Sequence, residues 1–237
     1  GDTGTGKPPQ FQVAQQLHRQ LPLDFVLLLG DNLYGANPHQ KFELPYKPLL
    51  DAGVPFYAAL GNHDRQSETN YPPFHMNGRR YYAFQKGPAH FFVLDSNRLD
   101  PAQLAWFESE LAASKSIWKI VVLHHPPYSS ARFHGSATHL RPLLEPLFQK
   151  HHVQLVLSGH DHVYERLHPQ HGTRYFVEGA SGQLRAGNLK KGSPLTAFGF
   201  DTDRSFLLFE LTPAALRFQC VSRTGQVVDS GVIPAAP

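Results

Sequence analysis

The sequence contains a single cysteine, Cys220, so no disulfide bond can form within the chain. No apolar run approaches the length of about 18 residues that a membrane-spanning helix needs, and we do not expect a membrane protein. Charged residues make up only 17% of the chain, and no long block of lysine and arginine occurs. The missing basic block argues against nucleic-acid binding. These absences exclude a disulfide-stabilised scaffold, a membrane-spanning protein and a basic nucleic-acid-binding domain.

The composition is otherwise that of a globular protein, because 41% of the 237 residues are hydrophobic. We therefore expect one domain over residues 1–237. The formal net charge of +3 at pH 7 is a mild basicity that suits an anionic substrate. The chain opens at Gly1-Asp2 without a signal-peptide pattern or an apolar strand, and we expect a further strand ahead of Gly1.

Hydrophobic periodicity predicts alternating strands and helices in most of the chain, followed by a run of strands near the end. This order is typical of the α/β class. The predicted helices cover residues 9–20, 40–50, 100–113 and 140–150. The predicted strands cover residues 25–29, 54–60, 81–84, 91–94, 118–123, 155–157, 206–211, 216–221 and 227–233.

Several of the predicted apolar strands end in side chains that can bind metal. Asp31 follows the first strand, Asn62 and His63 follow the second, and His124 and His160 follow two later strands. In open α/β sheets, side chains at the carboxyl ends of strands converge. A lone aspartate there is usually a turn or helix cap, and a lone histidine is usually a surface or core residue. Their recurrence at several strand ends favours one shared site.

His160 and His162 stand two residues apart, so in an extended segment their rings point the same way. Such a pair could reach two metal ions about 3.5–4 Å apart, the separation typical of two-metal sites. The alternative is a polar turn, since Gly159-His160-Asp161-His162 has the composition of one. The other strand ends favour the metal-binding interpretation.

Residues 1–7 have the pattern of a nucleotide-binding P-loop, with Gly1, Gly6 and Lys7 at the expected spacing. The next residue, however, is Pro8, where a P-loop needs a serine or threonine hydroxyl for magnesium. Proline also lacks a backbone N–H to bind phosphate. We therefore reject a P-loop.

Five short blocks of the sequence resemble, in their order, the metal-binding blocks of the purple acid phosphatases, a branch of the calcineurin-like metallophosphoesterases. The resemblance extends from Gly1 to His162, and it implies a four-layer α/β/β/α sandwich. The blocks are Gly1-Asp2-Thr3-Gly4, Gly30-Asp31-Asn32-Leu33-Tyr34, Gly61-Asn62-His63-Asp64, Val121-Val122-Leu123-His124 and Gly159-His160-Asp161-His162.

The resemblance also implies a two-metal site with ferric iron in one position and divalent zinc, iron or manganese in the other. Hard phenolate and carboxylate oxygens suit ferric iron, and imidazole with an amide oxygen suits the divalent ion. The implied ligands are Asp2, Tyr34 and His162 for the first metal, Asn62, His124 and His160 for the second, and Asp31 for both.

Two positions in these blocks need separate comment. Most calcineurin-like enzymes have Asp-x-His in the first block, whereas Asp2-Thr3-Gly4 lacks that histidine and Tyr34 follows Asp31 by three residues. The missing histidine, together with this tyrosine, resembles the pattern of the purple acid phosphatase branch. The alternative for Tyr34 is an aromatic ring that packs over the loop. In the fourth block, either His124 or His125 fits the family pattern, and the position of Pro126 favours His124.

The resemblance implies hydrolysis of phosphate monoesters by a metal-bound hydroxide, with a small phosphorylated substrate. The resemblance also implies that the His63 ring contacts the phosphate and gives a proton to the leaving oxygen. His134 resembles an outer histidine of the family's substrate pocket, with an exposed loop residue as the alternative. Phosphodiester or phosphoprotein hydrolysis, and a catalytically inactive metal-binding domain, stay open. The resemblance also implies a secreted or periplasmic protein.

Overall fold

Twelve strands and four α-helices occur in the computed structural model, which describes residues 1–235. The helices are α1 Pro8–His18, α2 Leu44–Asp51, α3 Pro101–Ala113 and α4 Arg141–Lys150. The strands are β1 Val26–Leu28, β2 Phe56–Ala58, β3 Tyr82–Lys86, β4 Ala89–Val93, β5 Trp118–Val122, β6 Leu155–Ser158, β7 Tyr164–Leu167, β8 Arg174–Glu178, β9 Thr196–Phe200, β10 Ser205–Leu211, β11 Ala215–Ser222 and β12 Val227–Pro234.

Seven of the strands form one mixed sheet in the order β3-β4-β5-β6-β8-β7-β9. Its centre, β4-β5-β6-β8, is parallel, and antiparallel strands complete both sides. The central strands are almost wholly apolar because both faces of a parallel sheet are covered. The carboxyl ends of β5 and β6 consequently lie side by side at one edge.

Alternate residues of the central strands enter two different cores. Val121 of β5 and Val156 of β6 pack with residues of α3 and α4. Ile120 and Val122 face the opposite way and join the larger core. This division follows from the two-residue period of a strand and places helices on one face of the sheet only.

The larger core is shared with a second strand layer and with α1 and α2. In that layer β1 and β2 are parallel, and β10, β11 and β12 form an antiparallel meander. The layers therefore run helix, strand, strand, helix, and the predicted α/β sandwich is confirmed. Among residues 1–235 no helix is both long enough and apolar enough to cross a membrane.

The sequence patterns missed β7, β8 and β9. In β7, buried Glu165 accepts hydrogen bonds from Ser130 and Thr196, and Arg166 forms a two-point ion pair with Asp229. In β7, two adjacent charged residues held by such distant partners leave no apolar alternation to detect. The predicted helix over 40–50 also differs, because it begins as a π-helical turn, His39–Glu43, ahead of α2.

An apolar groove of about 470 Å³ separates β1 from β10. Leu27 and Leu207 are among the residues that line it. Within residues 1–235, β1 pairs only with β2 and β10 pairs only with β11, so both strands turn a free edge toward the groove. The Asp2 N–H donates to the Gly30 carbonyl, and the Gly1 carbonyl accepts from Ser181, so Gly1 lies at the end of this groove. The groove therefore has two free strand edges and an apolar lining, which together could accommodate a β-strand.

We predict that a short valine- and isoleucine-rich segment fused ahead of Gly1 raises the melting temperature by several degrees. The added segment would bury apolar surface in the groove and would pair with two free strand edges. Each cross-strand pair of side chains would add a fraction of a kcal/mol or more to the free energy of unfolding. Differential scanning calorimetry measures the change, with a glycine-serine segment of equal length as control. Equal melting temperatures for the two fusions would contradict this account of the groove.

Candidate metal centre

The carboxyl ends of four strands meet at one edge of the molecule, and the backbone turns sharply there. Three predicted ligands have left-handed backbone conformations, with φ of 57° at Asp2, 53° at Asp31 and 68° at His160. Such values are uncommon for residues other than glycine and concentrate at functional sites. They turn each of these side chains toward the shared centre.

Glycines let these turns approach one another. A Cβ on Gly61 would lie 2.2 Å from the Asp31 backbone nitrogen, and a Cβ on Gly159 would lie 2.7 Å from the Asp2 carboxylate. Both distances are below any tolerable contact, so only glycine fits at either position. The glycines that open the third and fifth sequence blocks thus make room for ligands from other blocks.

Three of the predicted ligands form a first group of donor atoms. The Tyr34 hydroxyl donates to Asp2 Oδ1 at 3.0 Å and lies 3.3 Å from His162 Nε2. His162 Nε2 is in turn 3.4 Å from Asp2 Oδ1. An oxygen from a carboxylate, an oxygen from a phenol and an imidazole nitrogen thus surround one point.

A second group contains Asn62, His124 and His160. Asn62 Oδ1 lies 3.0 Å from His124 Nε2, and His160 Nδ1 lies 3.2 Å from the same nitrogen. On the other side of the His124 ring, Nδ1 donates to the Leu29 carbonyl at 2.9 Å. Because that bond places the ring proton on Nδ1, the His124 lone pair at Nε2 points into the group.

Asp31 lies between the two groups, with Oδ1 3.5 Å from His124 Nε2. The His124 lone pair therefore faces acceptor oxygens of Asp31 and Asn62, an arrangement that is repulsive without a cation between them. Asp2, Asp31 and His124 have ligand atoms within 4.8 Å of one another and are almost fully buried. The donor set fits a pair of metal ions, with three ligands in each group and Asp31 shared.

Burial and the crowding of like groups determine the protonation states. Burial and the nearby histidines lower the pKa of His160 to about 2, so its imidazole is neutral. Burial opposes ionisation of Asp2, but hydrogen bonding to His162 and nearby histidine charges outweigh it and lower its pKa to about 2. Burial and the carboxylates of Asp2 and Asp31 raise the pKa of Tyr34 above its usual value. Neutral imidazoles and ionised carboxylates are the forms that bind metal.

His125 lies beside the second group but has another partner. Its Nδ1 is 2.9 Å from the Ser96 hydroxyl, and its ring centroid is 4.4 Å from that of His160. Burial and the neighbouring histidines lower its pKa to about 4. The structure thus brings His124 against Asn62 and Asp31, and one nitrogen of the partly buried His125 also lies close to His124 and His160.

The two predicted catalytic histidines flank the opening of the site. The side chain of His63 is 57% exposed, and its Nε2 lies 4.0 Å from Asp31 Oδ2. His134 is also exposed, and its ring is 4.1 Å from the ring of His160. Its pKa is lowered by burial against the site and by the charges of His162 and Arg185. The floor of the site is therefore buried, and its mouth is open to solvent and lined with imidazoles.

Asp64 has a supporting role that the sequence patterns did not assign. Its carboxylate accepts hydrogen bonds from the Asn32 amide at 2.8 Å, the Leu33 N–H at 3.0 Å and the Gly61 N–H at 2.9 Å. These three donors belong to the turns that follow β1 and β2. The carboxylate therefore fixes the turn that carries Asp31 against the turn that carries Asn62.

We predict that Asp64→Ala lowers the free energy of unfolding by about 2–4 kcal/mol, because three partly buried N–H groups lose their acceptor. Urea unfolding of the metal-free protein measures this effect without a contribution from bound metal. Asp64→Asn keeps one acceptor oxygen and should lose less. If the Asp64→Ala variant were as stable as the unaltered chain, the hydrogen bonds to Asp64 would not be what fixes the two turns.

Comparison with known proteins is consistent with this geometry. A family model for the calcineurin-like phosphoesterases matches residues 1–164. Tartrate-resistant acid phosphatase type 5 of Sus scrofa is 25% identical, over 91% of this chain and 77% of the pig protein. The solved purple acid phosphatase PPD1 from yellow lupin (Lupinus luteus) seeds has a TM-score of 0.84 at 24% identity, over 96% of this chain and 49% of the lupin chain.

A second solved structure is also similar across the whole chain. It is GAP50, the anchor in the inner membrane complex of Plasmodium, with a TM-score of 0.85 at 21% identity, over 100% of this chain and 87% of the Plasmodium chain. At this level of identity, the two structural likenesses establish the fold and nothing further.

Proposed function

Because the chain belongs to the calcineurin-like phosphoesterases, we propose that it is a metal-dependent phosphatase that hydrolyses small phosphate monoesters at a dinuclear site. The single observation that carries this proposal is the pair of donor groups that share Asp31, each with three further ligands. We assign Asp2, Tyr34 and His162 to one metal ion and Asn62, His124 and His160 to the other.

Two bound metal ions would supply Lewis acidity that polarises the phosphoryl oxygens and lowers the pKa of a water molecule. The chain's own contribution is orientation. Asp31, held by the N–H of His63 at 2.9 Å, fixes the spacing between the two groups of ligands. The Leu29 carbonyl holds the His124 ring in the tautomer that directs Nε2 inward.

His63 and His134 would act on the substrate itself. Both rings lie at the solvent-facing mouth, so they can reach a phosphoryl group that enters from solvent. His63 stands near Asp31, where a protonated imidazole can donate to a phosphoryl oxygen or to the leaving oxygen. His134, whose ring lies 4.1 Å from that of His160, would contact the substrate beside the second group of ligands.

The test of this function is the rate of phosphate release from phenyl phosphate by the metal-loaded protein. We expect His160→Ala to abolish turnover, since it removes a ligand. His63→Gln should lower kcat by about 10²–10⁴-fold while metal content is unchanged, because it removes only a proton donor.

Absence of phosphate release in the unaltered, metal-loaded chain would refute hydrolysis and leave a metal-binding domain. Release from bis-esters or phosphoproteins in preference to phenyl phosphate would keep the metal site and overturn the monoester substrate.

For the metal identities we propose ferric iron beside Tyr34 and divalent zinc, iron or manganese in the other group. Hard anionic oxygens of Asp2 and Tyr34 support the first assignment, and the imidazoles with the Asn62 amide support the second. The family resemblance also supports a secreted or periplasmic location, which fractionation of the source cells tests.

We predict that the iron-loaded protein is pink or purple and that Tyr34→Phe is colourless with its iron retained. The colour would arise from charge transfer between the Tyr34 phenolate and ferric iron. Visible absorption spectra, with iron content measured on the same samples, check this. Tyr46→Phe is the matched control, because Tyr46 is buried in the core. A band that survives in Tyr34→Phe would contradict the assignment.

A further inference from the structure

A cation outside the two ligand groups, Arg185, is anchored directly to the backbone of the metal centre. The backbone N–H of Arg185 donates to the His162 carbonyl at 2.9 Å, and the backbone N–H of Gln183 donates to the Asp2 carbonyl at 3.0 Å. The segment that carries Arg185 is thus bonded to two predicted ligands of one group. These two backbone hydrogen bonds fix the segment relative to the metal centre.

The Arg185 guanidinium reaches across to an exposed aromatic ring. Its Cζ lies 3.5 Å from the ring centroid of Phe133, a residue that is 60% exposed. The Nε atom is buried and has no hydrogen-bond partner within residues 1–235, and no carboxylate in that part of the chain pairs with this guanidinium. The remaining arginine N–H groups therefore keep their capacity to bind an anion.

A chain of neighbouring aromatic rings connects this guanidinium to the metal centre. The Phe133 ring stands at 4.6 Å from that of His134, and the His134 ring is 4.1 Å from that of His160. The loop that presents Phe133 is held on its other side by Asn188, whose side-chain oxygen accepts from the Phe133 N–H at 3.1 Å. The guanidinium thus belongs to the wall of the open mouth, beyond His134.

From this arrangement we infer that Arg185, stacked on Phe133, forms a second anion-binding subsite of the same active site. It binds a carboxylate or phosphate group on the leaving-group side of the substrate, while the metal centre holds the phosphoryl group under attack. Planar guanidinium groups bind both kinds of anion through two parallel hydrogen bonds. The inference rests on the proposed hydrolytic function and narrows it to substrates with two anionic groups.

Two pairs of substrates test the subsite, and in each pair only one member carries a second anionic group on its leaving group. Glycerol phosphate against phosphoglycerate tests a carboxylate, and adenosine monophosphate against adenosine diphosphate tests a phosphate. For Arg185→Gln we expect KM for the doubly anionic member to rise about tenfold or more relative to its partner, because a charged hydrogen-bonded contact is lost. Arg185→Lys should restore part of the difference. The pair with the larger change identifies the preferred anion.

Arg174→Gln is the control for a general change in charge, because Arg174 begins β8, at the end of the sheet opposite the site. An equal rise in KM for both members of each pair, or no change in either ratio, would overturn the subsite. Isothermal titration of the same compounds into the metal-loaded His63→Gln protein, in which turnover is slowed, gives the same comparison as a ratio of dissociation constants. Selective binding in a protein that releases no phosphate would therefore refute the proposed function and support the subsite.

Discussion

The site depends on one electrostatic constraint: several electron-pair donors are held together in a buried place without enough protons to satisfy them. Asp2, Asp31 and His124 are almost wholly inaccessible to solvent. The lone pair of His124 is directed at carboxylate and amide oxygens by the bond from its other nitrogen to Leu29. Burying such groups without a counter-charge is costly, and bound cations would remove that cost. Metal binding is therefore expected to stabilise the fold as well as to enable catalysis.

The backbone that produces this convergence is strained in a local and regular way. Left-handed turns at Asp31 and His160 follow the ends of β1 and β6, and Asp2 has the same backbone conformation. Glycines at positions 61 and 159 allow those turns to touch. The Asp64 carboxylate and the two-layer core then hold the turns in place. Because Asp31, Asn62, His124 and His160 lie just beyond strand ends, these four ligands are positioned by the sheets.

Much of this arrangement could be predicted from the sequence, because apolar strands followed by a metal-capable side chain, in three cases after a glycine, leave a clear pattern. The strand ends at Asp31, Asn62, His124 and His160 are examples. Asp2 and Tyr34 were predicted only from the family resemblance, since nothing in their local sequence distinguishes them.

Features that depend on distant partners could not be predicted in this way. Strand β7 could not be recognised in the sequence because it contains Glu165 and Arg166, whose hydrogen-bond partners lie far along the chain. Arg185 likewise acquires its position from Phe133, about fifty residues earlier, and from the carbonyl of His162. No periodicity or spacing in the sequence relates these residues to each other. Only the folded chain brings the cation, the ring and the ligand together.

The measurement that tests the central claim most directly is the number of metal ions bound per chain, determined by elemental analysis of the purified, metal-loaded protein. The account predicts two ions in the unaltered chain, one after His162→Ala and one after His160→Ala, because each change weakens a different group of ligands. An unaltered chain with a single bound ion, or variants that both retain two, would contradict a dinuclear centre built from these residues.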